Sequence, residues 1–432
     1  MTLPGPVALP LPPSLWAATA PPGPAAPPLA GTLKVDVAVV GAGYTGLTAA
    51  LHLAERGTTV AVLDAGEPGW GASGRNGGQV IPGLKYDPDE LEARFGPEQG
   101  PRLVDFAGRA ADLVFDLIER HNIACDPVRT GWLQPAHSPA ARVSVERRAA
   151  QWARRGADVA VLDRSTMAEM LGSEAYCGGW IDRRAGNIQP LAFARGLAAA
   201  AVAKGAVIHG GTPAQTVRRE EREWRIETPG GSVLAGTVLL CTNGYTDRLF
   251  PGLEREVIST NSYQAATRPL PERLRAAILP GRQAASDSRR VLLYYRLDRD
   301  GRFIIGGRGT AADEPAPALF ERLRRAARDL YPQLAEAEWG NHWSGRVAFT
   351  VDHLPHLAEL GPGLIAGLGY QGRGVAMATN IGKVLADRLL GARPEELPLP
   401  IVKGLRPFPG HFLRAPALYL ITRWYRLLDM VG

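Results

Sequence analysis

The stretch VDVAVVGAGYTGLTAALHLAERGTTVAVLDAGEPGWGASGRNGGQ, Val35 to Gln79, decides how the rest of the chain is read. Its first six residues, Val35 to Val40, are mostly apolar and β-branched, the pattern of a buried strand in a parallel sheet. Gly41, Gly43 and Gly46 come next in GxGxxG spacing and open an apolar helix pattern that includes Leu47, Ala50, Leu51 and Ala54. The first glycine makes the tight turn, the second lets a pyrophosphate approach the backbone, and the third lets the helix pack close to the strand. The diphosphate then rests on the free N–H groups of the helix start, around Tyr44 and Thr45. Gly57 is expected as the helix C-cap, and Thr59 to Leu63 as a second strand that ends in Asp64. That acid lies about twenty residues beyond the glycines, where it can accept hydrogen bonds from a ribose diol. The glycines alone are a weak signal, but strand, helix, strand and terminal acid together specify a dinucleotide site.

Beyond Asp64 the chain departs from the needs of a nicotinamide domain. Gly71 to Gln79, GASGRNGGQ, sets four glycines around Ser73, Arg75 and Asn76. Such a loop supplies backbone N–H groups and one cation with little bulk to obstruct a flat ring. GAGYTGLTAALHLAERG with the downstream GASGRNGGQ resembles the D-amino-acid-oxidase-like superfamily of FAD enzymes, in particular the branch with glycine oxidase, sarcosine oxidase and γ-glutamylputrescine oxidoreductase. The resemblance implies an α/β fold: a Rossmann-like FAD-binding domain assembled from discontinuous segments, plus an α+β substrate domain with a mixed or antiparallel sheet. It also implies that Ala72, Ser73, Arg75, Asn76, Gly77 and Gln79 thread between the diphosphate and the isoalloxazine ring of FAD.

The composition agrees with a soluble protein of two domains: 432 residues, 45% hydrophobic and 21% charged. The net charge of +6 comes from dispersed arginines, with lysine only at Lys34, Lys85, Lys204, Lys383 and Lys403. No basic run or aromatic-interleaved patch points to nucleic acid, while an anionic substrate or cofactor remains compatible. Cys125, Cys177 and Cys241 are far apart and form no CxxC, which suggests neither a disulfide framework nor a metal site and points to the cytoplasm. No run of eighteen apolar residues argues for a spanning helix.

Taken in order, residues 1–32 form a Pro/Ala-rich arm that reads as disordered. Ser14 to Thr19 nevertheless resembles a segment preceding the FAD strand in the γ-glutamylputrescine-oxidoreductase branch, which implies order on the surface around Trp16. Residues 33–85, 186–250 and 340–400 are assigned to the FAD-binding domain, 86–185 and 251–339 to the substrate domain, and 401–432 to a C-terminal helical tail. The substrate segments carry helical spacing from Val104 to Ile118, a strand at Trp132 to Ala136, and a helix from Ser165 to Leu171 capped by Ser165. Further strands are expected at Val257 to Thr267, Val291 to Leu297 and Arg302 to Gly306. In the FAD segments a hairpin precedes a separate strand, Thr237 to Cys241, and Leu364 to Leu368 leads through a glycine turn into a helix, Val375 to Leu390. The apolar tail from Phe412 to Met430, with Arg414, Arg423 and Arg426, reads as a helix docked on the body or, as the alternative, a weak membrane-surface contact.

The same resemblance distributes the remaining site. Ala214 would hold adenine through its main chain, and Gly244 belongs to the second glycine turn. Gly345 opens the last block, and Gly369, Gln371, Gly372, Gly374 and Val375 would face the pyrimidine edge of the flavin, where a helix start stabilises negative charge on the reduced ring. Tyr263, Tyr294, Tyr295 and Arg308 are candidates to line the substrate cavity, with Tyr370 beside the ring, although strand aromatics are more often core. The implied reaction removes a hydride from the carbon bearing an amine to flavin N5, giving an imine that water hydrolyses.

Three departures from the sarcosine-oxidase pattern narrow this. No lysine lies between Lys204 and Lys383 to activate oxygen, so the acceptor is O2 or a quinone; His342, His353 or His356 could take that lysine's place. Ala376 stands where a carboxylate-gripping lysine would be, favouring a γ-glutamylated or other long amine unless Arg308, Arg75 or Arg373 supplies the grip. The alternatives are a secondary or D-amino-acid dehydrogenase and a non-catalytic FAD-binding flavoprotein. Arg346 to Asp352 contains no cysteine, so FAD is expected to be noncovalent.

Overall fold

Val35 to Val40 close a ten-residue strand, Gly31–Val40, whose last four residues are buried. Parallel neighbours flank it on both sides: Val39 lies opposite Leu239 of Gly231–Leu240 and opposite Val62 of Val60–Leu63. A strand so placed has both faces covered, which is why its sequence runs apolar without alternating. The structure, a computed structural model, describes residues 9–309 and 317–431; residues 1–8 of the arm, 310–316 of the second substrate segment and Gly432 of the tail lie outside it. Among the described residues the first sheet has nine strands. It continues through Val207–His209 on one side and through Leu364–Leu368, His356–Gly361 and Ile401–Lys403 on the other, with Glu223–Thr228 and Thr216–Glu220 folded antiparallel onto Gly231–Leu240. The helices Tyr44–Ala54, Pro190–Ala203 and Gly374–Leu389 pack against one another over this sheet, and their apolar faces form much of the larger core.

Among the described residues the second sheet has eight strands, in the order Trp339–Phe349, Ile258–Thr267, Phe303–Arg308, Leu293–Leu297, Ala284–Ser286, Trp132–Pro135, Gly179–Asp182 and Val159–Leu162. All its pairings are antiparallel except that of Ala284–Ser286 with Trp132–Pro135, where the two substrate segments meet. The mixed sheet is as expected. The helix Pro317–Leu330 covers one face with Phe320, Leu323 and Ala327.

Several expected boundaries move. The last FAD segment does not begin at 340, because Trp339–Phe349 hydrogen-bonds along Ile258–Thr267 and belongs to the second sheet. Nor does the first sheet end at 400: Ile401–Lys403 adds a parallel edge strand to His356–Gly361. The hairpin strand and the strand after it are one, Gly231–Leu240. The helix Arg164–Leu171 is capped by Asp163, whose carboxylate accepts the Thr166 N–H at 2.8 Å, and not by Ser165.

Residues 9–32 of the arm are ordered and not disordered. Ser14 caps the short helix Leu15–Thr19, and Trp16 is 1% exposed, edge-on to Trp343 at 5.6 Å. The arm is thus held by the buried Trp16 and by bonds from the body to its carbonyls, among them Trp70 to Pro10, Arg195 to Pro21 and His209 to Pro27, which is why proline content misleads here. At the other end, the helix Arg414–Val431 docks through Asp429, which accepts the N–H groups of Arg290 and Val291 at 2.9 Å each. Its outer side leaves Leu420 65% and Trp424 58% exposed, and Phe412 in the turn before it is 80% exposed. No helix of the described residues is long and apolar enough to cross a membrane.

Candidate functional site

A cavity opens at the C-terminal ends of the central strands, where Val40 and Leu63 meet the glycine turn. Gly41, at φ +109°, packs so closely on the Cys241 carbonyl that a Cβ would come within 2.7 Å of that oxygen. Gly46 lies behind the cavity wall: a Cβ there would stand 2.0 Å from the Gly41 carbonyl oxygen, so only glycine lets the helix start this close to the strand. The first intrahelical bond is Leu47 N–H to Gly43 O, leaving the N–H groups of Thr45 and Gly46 ahead of it for an anion. Tyr44 donates its own N–H to Ser73 Oγ at 2.9 Å, so the flavin-loop serine completes this helix start.

Asp64 closes the same end. Its two oxygens accept the Ala42 N–H at 2.7 Å and the Gly66 N–H at 2.8 Å. Burial raises its pKa and these two bonds pull it back. Each carboxylate oxygen retains a second lone pair for a ribose hydroxyl. Thr212, Pro213 and Ala214 also line the cavity.

The loop from Ala72 to Gln79 is fastened to the second sheet residue by residue. Gln264 Nε2 and Trp343 Nε1 both donate to the Arg75 carbonyl, the latter at 2.9 Å. Trp16 Nε1 donates to the Asn76 carbonyl at 2.8 Å and Arg296 Nε to the Gly77 carbonyl at 2.8 Å. Gln79 donates to the Ala285 carbonyl at 2.9 Å and accepts from Ser286 Oγ at 2.6 Å. Within the loop, Asn76 donates to Ser73 O and accepts from Gly78 N–H, both at 2.8 Å. Only Ala72, Ser73 and Asn76 of the expected loop residues line the cavity. Arg75 turns its guanidinium onto Trp70, 4.4 Å from the ring, and burial lowers its pKa. Gly77 lies against the Tyr294 ring and Gly345 against Arg75. These residues, with Gln79, shape the loop from behind.

At the far end, Gly244, Gln371, Gly372 and Gly374 line the cavity, whereas Gly369 and Val375 do not. Gly369 donates its N–H to Asn243 Oδ1 at 2.9 Å, and Gln371 donates to Thr350 Oγ1 at 2.6 Å. Tyr370 lines the cavity, but its hydroxyl is committed: it lies 2.6 Å from Thr45 Oγ1 and donates to Gly367 O at 3.0 Å. It clamps the last turn to the first helix and does not have a free proton to offer.

Two catalytic candidates are corrected. Antiparallel partners share a sheet face, so Ser262, Gln264, Tyr294, Arg296, Gly306 and Arg308 all face the flavin loop. Tyr263 and Tyr295 point the other way into the core under Pro317–Leu330, where Tyr263 meets Phe320 edge-on at 5.8 Å and Tyr295 packs between Phe303 and Tyr331. Tyr294 takes the inward position, with its hydroxyl 2.8 Å from Ser262 Oγ. Arg308 shares that face and stacks 5.0 Å from the Phe349 ring. Of the histidines, His342 packs on Phe320 at 4.5 Å, His353 stands 3.5 Å from Gln371, and His356 is buried between Asp352 and Glu256. Sequence reading misses Trp70 and Tyr245, which meet at 5.4 Å beside the loop, and Asn243. The only signal for them was their position next to glycine turns.

Comparison with known proteins agrees with this geometry. The DAO family, described as FAD dependent oxidoreductase, matches residues 36–388. A probable oxidoreductase, OrdL, of Rhizobium meliloti is 37% identical over 429 residues, spanning 96% of this chain and 97% of that protein. The γ-glutamylputrescine oxidoreductase of Escherichia coli is 31% identical over 405 residues, spanning 93% and 94%. The solved glycine oxidase of Geobacillus kaustophilus shares the fold at a TM-score of 0.71 and 24% identity, covering 84% of this chain and 96% of that one. The residues present suit the flavin: a cradle that side chains would fill, an acid with acceptor sites to spare, and a loop braced for a flat ring. With the match covering most of its length, the chain belongs to the DAO family of FAD-dependent oxidoreductases.

Proposed function

We propose that this enzyme oxidises the C–N bond of an amine, with FAD held noncovalently, and that its substrate is a long amine such as a γ-glutamylated diamine. The FAD held there would supply a hydride acceptor for the carbon bearing the nitrogen, the imine so formed being hydrolysed by water. The observation that supports this reading is the bracing of the flavin loop by one face of the second sheet, the face that also carries Tyr294, Ser262 and Arg308. Those groups orient and exclude water; neither Tyr370 nor Tyr294 has an uncommitted hydroxyl to act as a base. A dry site favours the neutral amine, the form able to release a hydride.

The γ-glutamylated class is supported by the Escherichia coli relative and by Ala376, an uncharged residue buried in its helix at the place where the resemblance puts a carboxylate-gripping lysine. Noncovalent attachment is supported by Cys241, the cysteine at the cavity, whose thiol burial pushes up to about 12 and so keeps protonated. The test is anaerobic mixing of the holoenzyme with γ-glutamylputrescine, free diamines, and secondary and D-amino acids. Bleaching of the flavin by the first and not the amino acids is expected. Peroxide on readmitting air identifies an oxidase, and reduction of an added quinone without peroxide a dehydrogenase. Bleaching by none of the panel refutes the proposal.

A further inference from the structure

The helix Arg414–Val431 turns one side to the body and leaves the other uncovered. Asp429 faces inward, accepting the Arg290 and Val291 N–H groups, and Leu418, Tyr425 and Leu428 on that side are half-buried. In the turn before the helix, His411 Nε2 stands 3.2 Å from the Val257 carbonyl. On the outer side Leu413, at the end of that turn, and then Ala417, Leu420, Ile421 and Trp424 follow at i, i+4, i+7, i+8 and i+11, the spacing of a continuous helical stripe. All five are exposed. An apolar stripe of this kind normally faces a core; here it meets solvent.

Cations border the stripe on both edges. Arg414 stands three residues before Ala417 and seven before Ile421, which sets it beside the stripe near its start. Arg423, three residues after Leu420, runs along the other edge and lies 5.0 Å from the Tyr419 ring. Both arginines are exposed, and Arg414 donates to the His411 carbonyl at 3.4 Å. From Ile401 to Gly432 the sequence carries Lys403, Arg406, Arg414, Arg423 and Arg426 against a single acid, Asp429, and that acid is spent on the body. The outward surface of this end is therefore apolar along its middle and positive around it.

A second copy of the chain suits such a surface poorly: in a two-fold dimer the patch meets itself, so cations face cations across the contact. A bilayer with anionic headgroups suits it on both counts. The stripe reaches the acyl boundary, the guanidinium groups stay among the headgroups, and Tyr419 and Trp424 sit at the level between, where such rings are favoured. We propose that the outer side of Arg414–Val431 is a docking face for an anionic lipid surface, with the helix lying in the headgroup plane while its inner side stays on the body. The helix lies along the surface and does not cross it, since no helix of the described residues is long and apolar enough to span. Its inner side holds the chain just before Leu293–Leu297, the strand carrying Tyr294, so the second sheet is the part of the enzyme set beside the bilayer.

Cosedimentation of the holoenzyme with vesicles tests this, comparing phosphatidylcholine alone with a mixture of phosphatidylcholine and phosphatidylglycerol. Wild type should prefer the mixed vesicles by about fivefold for each arginine at the surface, hence about 25-fold for Arg414 and Arg423 together. That preference should fade in high salt. Arg414→Gln with Arg423→Gln should remove it, and Leu420→Ser with Trp424→Ser should abolish binding to either kind of vesicle. Both double variants should keep wild-type FAD content, because none of the four residues lines the cofactor cavity. Val143→Ser, at an exposed position on the separate helix Pro139–Ala153, should bind as wild type does. Failure to pellet with mixed vesicles, equal binding to both kinds by wild type, or a loss with Val143→Ser as large as with the Leu420 and Trp424 pair overturns the proposal. Sedimentation velocity without lipid covers the other occupant: a dimer that Leu420→Ser with Trp424→Ser dissolves assigns the face to a second copy and likewise overturns it.

Discussion

Replacing His356 with glutamine probes the latch that joins the edge of the first sheet to the chain beyond it. His356 is 2% exposed, with Nδ1 2.9 Å from Glu256 Oε2 and Nε2 3.0 Å from Asp352 Oδ1. Glu256 also accepts the Arg406 N–H, so the network ties down the segment after Ile401–Lys403. A neutral imidazole has one N–H and can satisfy only one of the two carboxylates; the charged ring satisfies both. Burial by itself would lower the pKa, but the hydrogen bonds and charges of Asp352 and Glu256 outweigh it and raise His356 to about 9. The folded value lies above the unfolded one of roughly 6.5, so this stabilisation is fully present below about pH 6.5 and is lost as pH rises through about 9. A gap of about 2.5 units corresponds to about 3 kcal/mol, with a slope approaching about 1.4 kcal/mol per pH unit inside that window. Urea unfolding at constant ionic strength and saturating FAD, repeated from pH 6 upward, measures it. Wild type should lose about 3 kcal/mol between roughly pH 6.5 and 9, while His356→Gln starts less stable and stays nearly flat. A flat wild-type profile, or a variant that declines as steeply, refutes the charged latch.

Gly46→Ala should reduce FAD affinity more than overall stability, because the added methyl would push the helix start off the Gly41 carbonyl; overpacking of this kind costs about 1–3 kcal/mol. Flavin retained on gel filtration checks it, and wild-type retention counts against the cradle. Trp16→Ala should destabilise by about 3–5 kcal/mol and also weaken FAD binding, since it removes both a buried ring and the bond to the Asn76 carbonyl; thermal unfolding with and without added FAD separates the two effects. Tyr263→Phe should leave the rate of amine oxidation unchanged and stability equal or slightly higher, because its buried hydroxyl finds no partner among the described residues. A large fall in kcat would restore Tyr263 to the catalytic machinery.

The cofactor half of the site was legible because main-chain chemistry leaves its mark in residue identity. Gly41 and Gly46 stand where a Cβ cannot, and Asp64 accepts the Ala42 N–H of the glycine turn, so spacing alone finds them. The substrate half was not, because it depends on strand parity. Tyr294 and Tyr295 are neighbours in sequence and opposite in placement: one lies on the flavin loop, the other in the core. Nothing in a run of two tyrosines states which faces which sheet. Trp16 was legible only by resemblance, since its slot is built from Trp343 and Arg296, near the other end of the chain. The boundary at 340 failed for a related reason: Trp339–Phe349 leads into the last cofactor turn yet pairs with the second sheet, and strand partners are a property of the fold.

The identity and attachment of the cavity's occupant can be read in a single measurement. Acid precipitation of the purified protein, with chromatography of the supernatant, should release one FAD per chain and leave a colourless pellet. A pellet that keeps its flavin contradicts noncovalent binding. A supernatant with nicotinamide dinucleotide, or with no flavin even after incubation with FAD, contradicts the reading from the glycine turn onward.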